Sequence, residues 1–333
     1  MSAPACPSPI RAVITDYLAL KTALGRHYAN ERHVLESLAT FLPTSTGSAP
    51  DLTPDTFRAW AQTLHHLMPT VRRKRLRIVR NLCLYRRRTE PACFVPDLAL
   101  FPTPHQPRAP YIFKVKEIAQ LLRAASTLSP TPRSPLRPHV FRLAIVLLYT
   151  TGLRRGELLQ LTPADYARDE HVLLIRESKF HKSRGVPLSP ATAREVDRYL
   201  EARQRRPLSL AATTPLLAHG VTGLRGYTGV GLGTGFRQLL TTTKIQMPDG
   251  YWPRIHDLRH TFAVHALLRW YRAGVDVQTK LPLLATYMGH VSIASTAYYL
   301  PFIEPVRALA SARFSRHCGA LLEAGVGPQE TPQ

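Results

Sequence analysis

The chain has 333 residues, of which 44 are Lys or Arg and 22 are Asp or Glu, so its formal net charge is +22. Hydrophobic residues make up 44% of the sequence, enough to fill hydrophobic cores, and this excludes a generically disordered chain. The length predicts two domains. The charge predicts a polyanionic partner, with nucleic acid as the first candidate and an anionic membrane surface as the second.

Sequence patterns argue against a membrane-spanning, secreted or disulfide-bonded protein. The longest clean apolar run, at 143–149, is far shorter than the roughly 20 residues that span a bilayer. The N-terminus has no charged stretch followed by an apolar one, so we expect no signal peptide. The four cysteines are scattered without a Cys-x-x-Cys pair, which argues against a zinc ribbon and a disulfide scaffold. We therefore expect a cytoplasmic protein in a reducing compartment, with no membrane association.

The first hundred residues predict a helical domain. Apolar residues recur at helical spacing over 10–42. A second helix is predicted to begin at Thr53 and Pro54, because Thr is a good N-cap and Pro suits the first helical position. A third helix is predicted over 70–88. Its buried face is predicted to consist of Leu76, Val79, Leu82 and Cys83.

The other face of the helix predicted over 70–88 is strongly basic, with nine Lys or Arg residues and no acid. A charge run is often only a solvated face, but like charges repel along a helix, and this run is heavier than solubility requires. We therefore favour a face that contacts phosphates and includes Arg86–Arg88. The expected DNA contacts on this helix are Arg72, Arg73, Arg75, Arg77 and Arg80.

Positive charge is also spread along the rest of the chain. Residues 1–110 hold 15 basic and 7 acidic residues, a net charge of +8, and the remainder carries +14. A basic tail on a neutral protein would instead concentrate the excess in one block. Both halves of the chain are therefore expected to face a phosphate backbone.

A proline-rich stretch at 101–110 predicts a linker between domains of 10–100 and 111–326. Residues 1–9 are expected to be flexible and 327–333 disordered. The glycine-rich stretch 220–235 is predicted to be a loop. It departs from the dinucleotide-binding spacing because Thr234 stands where the last Gly belongs. The second domain is predicted to contain helices over 114–126, 139–151, 191–205, 257–273, 281–287, 293–300 and 305–324, and strands over 171–175 and 185–188.

Four segments of the second domain carry the residue types that breaking a phosphodiester without a metal requires. They read TGLRRGEL over 151–158, KFHKSRGVPL over 179–188, HDLRHTFA over 256–263, and MGH over 288–290 with Tyr299 further on. Two Arg side chains can grip the non-bridging oxygens, a Tyr can attack the phosphorus, and a Lys or His can protonate the leaving oxygen. The sequence has no recognisable carboxylate cluster for two metals, so we expect neither metal nor cofactor.

These segments resemble the motifs of the tyrosine recombinases, also called the phage integrase family. The family typically shows Thr-Gly-x-Arg-x-x-Glu-Leu, a hairpin Lys before Val-Pro-Leu, His-x-Leu-Arg-His-Thr-Phe-Ala, and Leu-Gly-His with a Tyr nine residues on. The resemblance is strong over 110–310 and weaker over 10–100. It implies a mainly α fold with a small antiparallel β-sheet (α+β), in which a helical, SAM-like core-binding domain precedes the catalytic domain.

The resemblance also implies an activity and partners. It implies a site-specific recombinase that cuts and rejoins duplex DNA through a 3′-phosphotyrosyl intermediate, without metal or ATP. It further implies a homotetramer on two DNA sites, with helices after Pro305 packing on neighbouring subunits. The chain is therefore expected to be a nucleoid-associated protein, bacterial or encoded by a mobile element, that carries out integration or excision. Neither the target site nor any accessory protein follows from the sequence.

Carried over residue by residue, the resemblance implies a role for each motif position. Tyr299 is the expected nucleophile, and Arg154 and Arg259 are expected to clamp the phosphate. Lys179 is the expected general acid. The remaining expected roles are proton transfer for His256, a hydrogen bond to the phosphate for His290 and support of Arg154 for Glu157.

Several alternatives remain open at this point. Lys182 is the nearest rival of Lys179, although the register against Val-Pro-Leu favours Lys179, and Lys182 is then an expected DNA contact. Tyr298 competes with Tyr299, but neighbours on a helix point about 100° apart, so only one can face the phosphate. The spacing from the preceding His favours Tyr299. His260 is expected to be a packed or helix-start residue, and Arg155 a surface charge.

Two alternative functions also fit the motifs. A type IB topoisomerase-like nicking-closing enzyme uses a similar site, although the length and the two-part layout favour a recombinase. A non-catalytic DNA-binding protein that retains the fold is the alternative from another class. All six expected catalytic residues are present, which argues against such a protein, because a protein that only binds DNA would have no need to retain them.

Overall fold

The computed structural model describes residues 10–26, 28–45, 51–103, 108–178, 182–206, 208–209 and 211–302. The chain divides into two compact units, Met1–Arg108 and Ala109–Gln333, here called the N-terminal and C-terminal units. The described residues are mainly helical with two small antiparallel sheets, which confirms the predicted fold class. Within these residues, no helix is long and apolar enough to cross a membrane.

Four helices form the described part of the N-terminal unit around one hydrophobic core. The predicted helical stretch 10–42 is divided at Gly25, whose φ of 71° lies in the left-handed region that ends helices. Leu35, Leu38 and Leu42 are fully buried in the core. The helices are α1 (Ile10–Ala23), α2 (Ala29–Ser45), α3 (Pro54–Thr63) and α4 (Pro69–Arg86).

Two local predictions for the N-terminal unit are confirmed. Thr53 is the N-cap of α3, where its side chain accepts the backbone N–H of Thr56, and Pro54 occupies the first helical position. The four predicted apolar positions of α4 are all buried. Local capping chemistry and helical periodicity were therefore sufficient to locate these two helices.

The basic face of α4 is only partly free. Arg86 is 5% exposed, and its guanidinium is bound by the carboxylates of Asp51 and Glu90. Its assignment to the outer basic face was therefore wrong, because Asp51, distant in sequence, and Glu90, just after the run, bind it on the inner side. Arg73 donates to the Pro102 carbonyl at 2.5 Å and Arg80 to the Pro96 carbonyl at 3.0 Å. These two arginines hold the segment that follows α4.

The C-terminal unit is organised around α6 (Arg137–Thr151), which has nine buried residues and packs against α5 (Val115–Ser126), α8 (Pro190–Gln204) and α10 (Asp257–Arg272). The predicted helices between 114 and 288 are present, with ends displaced by a few residues. A 3₁₀ turn at Leu300–Phe302 follows the last α-helix of the described residues. The helices are α5 (Val115–Ser126), α6 (Arg137–Thr151), α7 (Arg155–Gln160), α8 (Pro190–Gln204), α9 (Gly229–Thr243), α10 (Asp257–Arg272), α11 (Val277–Met288) and α12 (Ala294–Ala297).

The sheets of the C-terminal unit are small and antiparallel. The three-stranded sheet has the order β1-β2-β3, and β2 and β3 form the predicted hairpin. Arg184 pairs with Ile175, and Val186 pairs with Leu173. The strands are β1 (Tyr166–Ala167), β2 (Val172–Ser178), β3 (Lys182–Pro187), β4 (Ala218–His219) and β5 (Arg225–Gly226).

The prediction of a loop throughout 220–235 was wrong, because α9 begins inside this stretch. Thr228 caps the helix by accepting the Gly231 N–H at 3.0 Å. Leu232 and Phe236, at i and i+4, are buried and bind the helix to the core. At Gly235, a Cβ would overlap the Phe141 ring of α6. Apolar spacing therefore outweighs glycine content here, and Gly235 permits the close approach of the two helices.

A buried cation organises the irregular segment after α8. Arg203 is 0% exposed. Its guanidinium donates to five oxygen atoms of uncharged groups. Because these acceptors come from the segment 209–223, one side chain ties that segment to α8. The acceptors are the carbonyls of Ser209, Pro215, Leu216 and Gly223 and the hydroxyl of Thr214.

Some predictions fall outside the described residues. These are the flexible segment 1–9, the disordered segment 327–333 and the helix 305–324 with its expected packing on neighbouring subunits. The predicted linker 101–110 is described except for 104–107.

Candidate active site

Two helix ends and two helix starts bring the predicted site residues together in the C-terminal unit. Gly152 ends α6 and Gly289 ends α11, with φ values of 63° and 69°. Arg154 is the N-cap of α7, and Arg259 lies in the first turn of α10. Arg154 donates to the Gly289 carbonyl and Arg259 to the Gly152 carbonyl. Each arginine is therefore fixed by a helix end that belongs to a different part of the sequence.

Arg259 is the more deeply buried of the two arginines, with 2% of its surface exposed. It also donates to the Met288 carbonyl at 2.9 Å. Burial, and then the nearby positive charge of Arg154, lower the pKa of Arg259 to about 10. The side chain remains a cation at neutral pH. The guanidinium groups of Arg154 and Arg259 therefore repel each other, and an anion bound between them would stabilise both.

Glu157 supplies negative charge to the cationic cluster that Arg154 and Arg259 form. It is 5% exposed and accepts the backbone N–H of Arg154 at 2.9 Å and its Nη1 at 2.6 Å. Burial alone would raise the pKa of Glu157, but hydrogen bonds from Arg184 and from Arg154 hold it below its ordinary value. Glu157 is thus ionised and holds Arg154 through its backbone N–H and its guanidinium.

Arg184 is a member of this cluster that sequence reasoning missed. It donates from Nη2 to Glu157 at 2.9 Å and from Nε to the Tyr287 carbonyl at 2.9 Å. A signal was present, because Arg184 and Val186 lie two apart on β3 and therefore share a face. Val186 is fully buried. An inward-facing arginine in the hairpin could have been inferred from that pairing.

The two neighbouring tyrosines point to different surroundings. Tyr299 is 3% exposed, whereas Tyr298 is 45% exposed. The Tyr299 hydroxyl lies 3.2 Å from Nδ1 of His260. Its ring stacks on that of His290 with centroids 6.2 Å apart. Burial raises the pKa of Tyr299, and the positive charge of Arg259 opposes that rise. Tyr299 is therefore the tyrosine that lies among the side chains of the sequence motifs.

The three histidines of the site occupy distinct positions. His256 is exposed, and its ring makes an edge-to-face contact with the His260 ring, with centroids 4.8 Å apart. Nδ1 of His290 lies 2.7 Å from the Thr296 hydroxyl. Burial, followed by the charge of nearby arginines, lowers the pKa of both His260 and His290 to about 4. Both rings are therefore neutral at neutral pH and can accept a hydrogen bond.

The side chains of the two candidate lysines lie outside the described part of the structure. Lys179 lies outside the described residues, and Lys182 begins β3 without a described side chain. The expected DNA contacts of α4 belong to the N-terminal unit, where Arg72 and Arg75 are partly exposed and Arg77 is exposed. Within the described residues, no group of three or more metal-ligating side chains could hold a metal ion.

A basic groove of about 940 Å³ opens beside Arg154. Arg155, expected to be a plain surface charge, lines it together with Arg237 and Arg254. Arg237 lies over the Trp252 ring at 5.3 Å. Arg237 and Arg254 are isolated in the sequence and Arg155 is next only to Arg154, so no charge run indicated this groove. The fold gathers them from α7, α9 and the segment before α10.

Comparisons with known proteins identify the family of this chain. The model of the phage integrase family matches residues 112–301. The integrase/recombinase y4rB of Sinorhizobium fredii is 34% identical over 295 residues, which cover 88% of this chain and 93% of that protein. This chain belongs to the phage integrase family. It is a tyrosine recombinase, an enzyme of DNA recombination.

Solved structures of recombinases share the fold. The XerH site-specific recombinase bound to a palindromic difH substrate superposes with a TM-score of 0.60 at 17% identity, over 86% of this chain and 79% of that one. The Tn1549 transposon integrase in complex with a circular intermediate DNA gives 0.60 at 18% identity, over 86% and 94%. Both comparisons confirm a helical domain preceding the catalytic fold.

Proposed function

We propose that this recombinase cuts and rejoins duplex DNA through a 3′-phosphotyrosyl bond at Tyr299, and that it serves the integration or excision of a mobile element. The observation that carries the proposal is the position of the Tyr299 hydroxyl beside His260 and near the buried Arg259, while Tyr298 is exposed. The similarity to a transposon integrase supports the mobile-element role.

In the proposed reaction, Arg154 and Arg259 bind the non-bridging oxygens of the scissile phosphate. Their charge stabilises the additional negative charge of the transition state. The Tyr299 oxygen attacks the phosphorus, and the bond to the 5′ oxygen breaks. Lys179 donates a proton to the departing oxygen, because an alkoxide is a poor leaving group. His290 donates a hydrogen bond to the phosphate, and His256 assists proton transfer.

Religation reverses these steps. The 5′ hydroxyl of a second strand attacks the phosphotyrosine, and Tyr299 leaves. Because the phosphotyrosyl bond conserves the energy of the broken phosphodiester, no ATP is required. The proposed assembly is a homotetramer on two DNA sites, in which the groove beside Arg154 and the exposed arginines of α4 contact phosphates. Contacts of this kind position DNA without reading its sequence.

The test is covalent trapping on a nicked suicide substrate that carries the native recombination site. Tyr299→Phe is expected to abolish the protein–DNA adduct while DNA binding is retained, because only the attacking oxygen is removed. Tyr298→Phe is the matched control and is expected to form the adduct. An adduct that persists in Tyr299→Phe but disappears in Tyr298→Phe would move the nucleophile to the neighbouring residue and refute the proposal.

A further inference from the structure

We infer that His260 is a catalytic residue that accepts the phenolic proton of Tyr299 during strand cleavage. The inference rests on the proposed function, since it concerns the activation of the same nucleophile. The sequence motif directs attention to His256 for proton transfer. The contact to the tyrosine hydroxyl, however, is made by the histidine one helical turn further along α10.

The geometry of the contact fits proton transfer. Nδ1 of His260 lies 3.2 Å from the Tyr299 hydroxyl, and the ring centroids are 5.5 Å apart. A general base must lie within hydrogen-bond reach of the proton that it removes, and such bonds are often long before substrate binds. For Nδ1 to accept this bond, the neutral ring must carry its own proton on Nε2.

The surroundings keep the His260 ring neutral, so Nδ1 can accept a hydrogen bond from the phenol, and the negative charge of a bound phosphate would strengthen the ring as a base. Burial comes first, and the charges of Arg254 and Arg259 add to it, so the pKa of His260 falls to about 4. His256, on the same helix, meets the ring edge to face. His290, which stacks on Tyr299, adds little charge because its pKa is also low. Tyr298 and Tyr299 also lie against the ring.

His256, whose pKa is also lowered to about 4, chiefly by desolvation, is a poorer candidate for this step. Its ring meets His260, and the contact to the Tyr299 hydroxyl belongs to His260. Residues four apart lie on one helical face, so the two histidines form a row that leads from the solvent side to the nucleophile. His256 can therefore exchange protons with solvent while His260 serves the tyrosine.

The proposed step balances. The phenolic proton moves to Nδ1 of His260, and the Tyr299 oxygen forms its bond to phosphorus. The bond between phosphorus and the 5′ oxygen breaks, and that oxygen takes its proton from the general acid, proposed as Lys179. In religation the proton returns from the His260 imidazolium to the departing tyrosine oxygen. No oxidant, reductant or further reactant is needed.

The first test compares two asparagine variants of α10 in single-turnover cleavage of pre-bound suicide substrate by the full chain. In His260→Asn, the amide oxygen can still accept a hydrogen bond but cannot take up the proton, and cleavage is expected to slow by roughly 10²- to 10⁴-fold. His265→Asn is the matched control. His265 also contacts a tyrosine hydroxyl, that of Tyr149 at 3.1 Å, but lies outside the cluster, so wild-type cleavage is expected.

A second readout separates proton transfer from positioning. Fluorinated tyrosine introduced at position 299 has a lower phenolic pKa and needs a base less, so it is expected to restore part of the rate of His260→Asn. The rate of that variant is also expected to rise with pH as the phenol ionises unaided. If His260→Asn lowers thermal stability or DNA affinity, His260→Gln takes its place under the same assay.

Two results would overturn the inference. Wild-type cleavage by His260→Asn would show that a hydrogen bond alone suffices, and the absence of rescue by fluorotyrosine would exclude proton acceptance. Failure of the proposed function looks different, because it leaves an adduct in Tyr299→Phe. Loss of the adduct in Tyr299→Phe together with full activity in His260→Asn would refute only the role of His260.

Discussion

Removal of the Glu157 carboxylate tests how the cationic cluster is held in place. Glu157 is 5% exposed and accepts hydrogen bonds from both Arg154 and Arg184. In Glu157→Ala, two partly buried guanidiniums lose their counter-charge and the Arg154 N–H loses its acceptor. Removing one partner of a buried ion pair costs about 3–5 kcal/mol. We therefore expect the C-terminal unit to lose stability on this scale.

The matched control is Glu201→Ala, which removes one glutamate from a helix of the same unit. Glu201 forms only an exposed ion pair with Arg205 at 3.8 Å, so its loss should cost about 0.5 kcal/mol or less. Hydrogen exchange of full-length protein measures the opening of α6, α7 and α10. Peptides from α3 and α4 serve as the internal reference, since they belong to the other unit.

The dependence on pH gives a second measure of the same interaction. The folded-state pKa of Glu157 lies below its ordinary value of 4.5. Its stabilising contribution is therefore fully present above about pH 4.5 and is lost as the pH falls through the folded-state value. Glu157→Gln should lack this part of the acid destabilisation. A Glu157→Ala protein no less stable than Glu201→Ala would refute the counter-charge argument.

Two further predictions follow from packing and from the direction of charged side chains. Gly235→Ala should destabilise the protein, because the added Cβ overlaps the Phe141 ring. Gly233→Ala has open space at its Cβ and should stabilise α9 by about 1 kcal/mol. Thermal unfolding compares the two variants, and equal effects would contradict the packing argument. Arg77→Ala should lower the slope of log affinity for DNA against log salt by about 1, whereas Arg86→Ala should chiefly lower stability, because Arg86 is buried between two acids. A slope unchanged by Arg77→Ala would remove this residue from the DNA contacts.

The parts of the fold that the sequence predicted are those set by local chemistry. Thr53 and Pro54 locate the start of α3, and Gly152 ends α6, because capping depends on a few adjacent residues. The start of α9 was missed because its glycines were weighted above the spacing of Leu232 and Phe236. The inward turn of Arg86 could not be predicted, since Asp51 is distant in sequence.

The candidate site was predictable to the extent that motifs name its residues. The sequence could place Arg154, Arg259 and Tyr299 in one site because their spacing matches a known pattern. It could not reveal which histidine contacts the Tyr299 hydroxyl, since His256 and His260 share one helical face and only tertiary packing separates them. Arg184 was hidden for a related reason, because its partner Glu157 lies on a different element.

Burial divides the arginines of the chain into two classes of chemical reactivity, those that solvent reaches and those that it does not. Arg203 is 0% exposed and Arg259 is 2% exposed. A dicarbonyl reagent that condenses with guanidinium can modify only side chains that solvent reaches. These two should therefore react only after the C-terminal unit unfolds. Apart from Arg259, whose proposed partner is the scissile phosphate, the arginines that such a reagent consumes from the native protein are those available to a polyanion, and they are fewer than the composition implies.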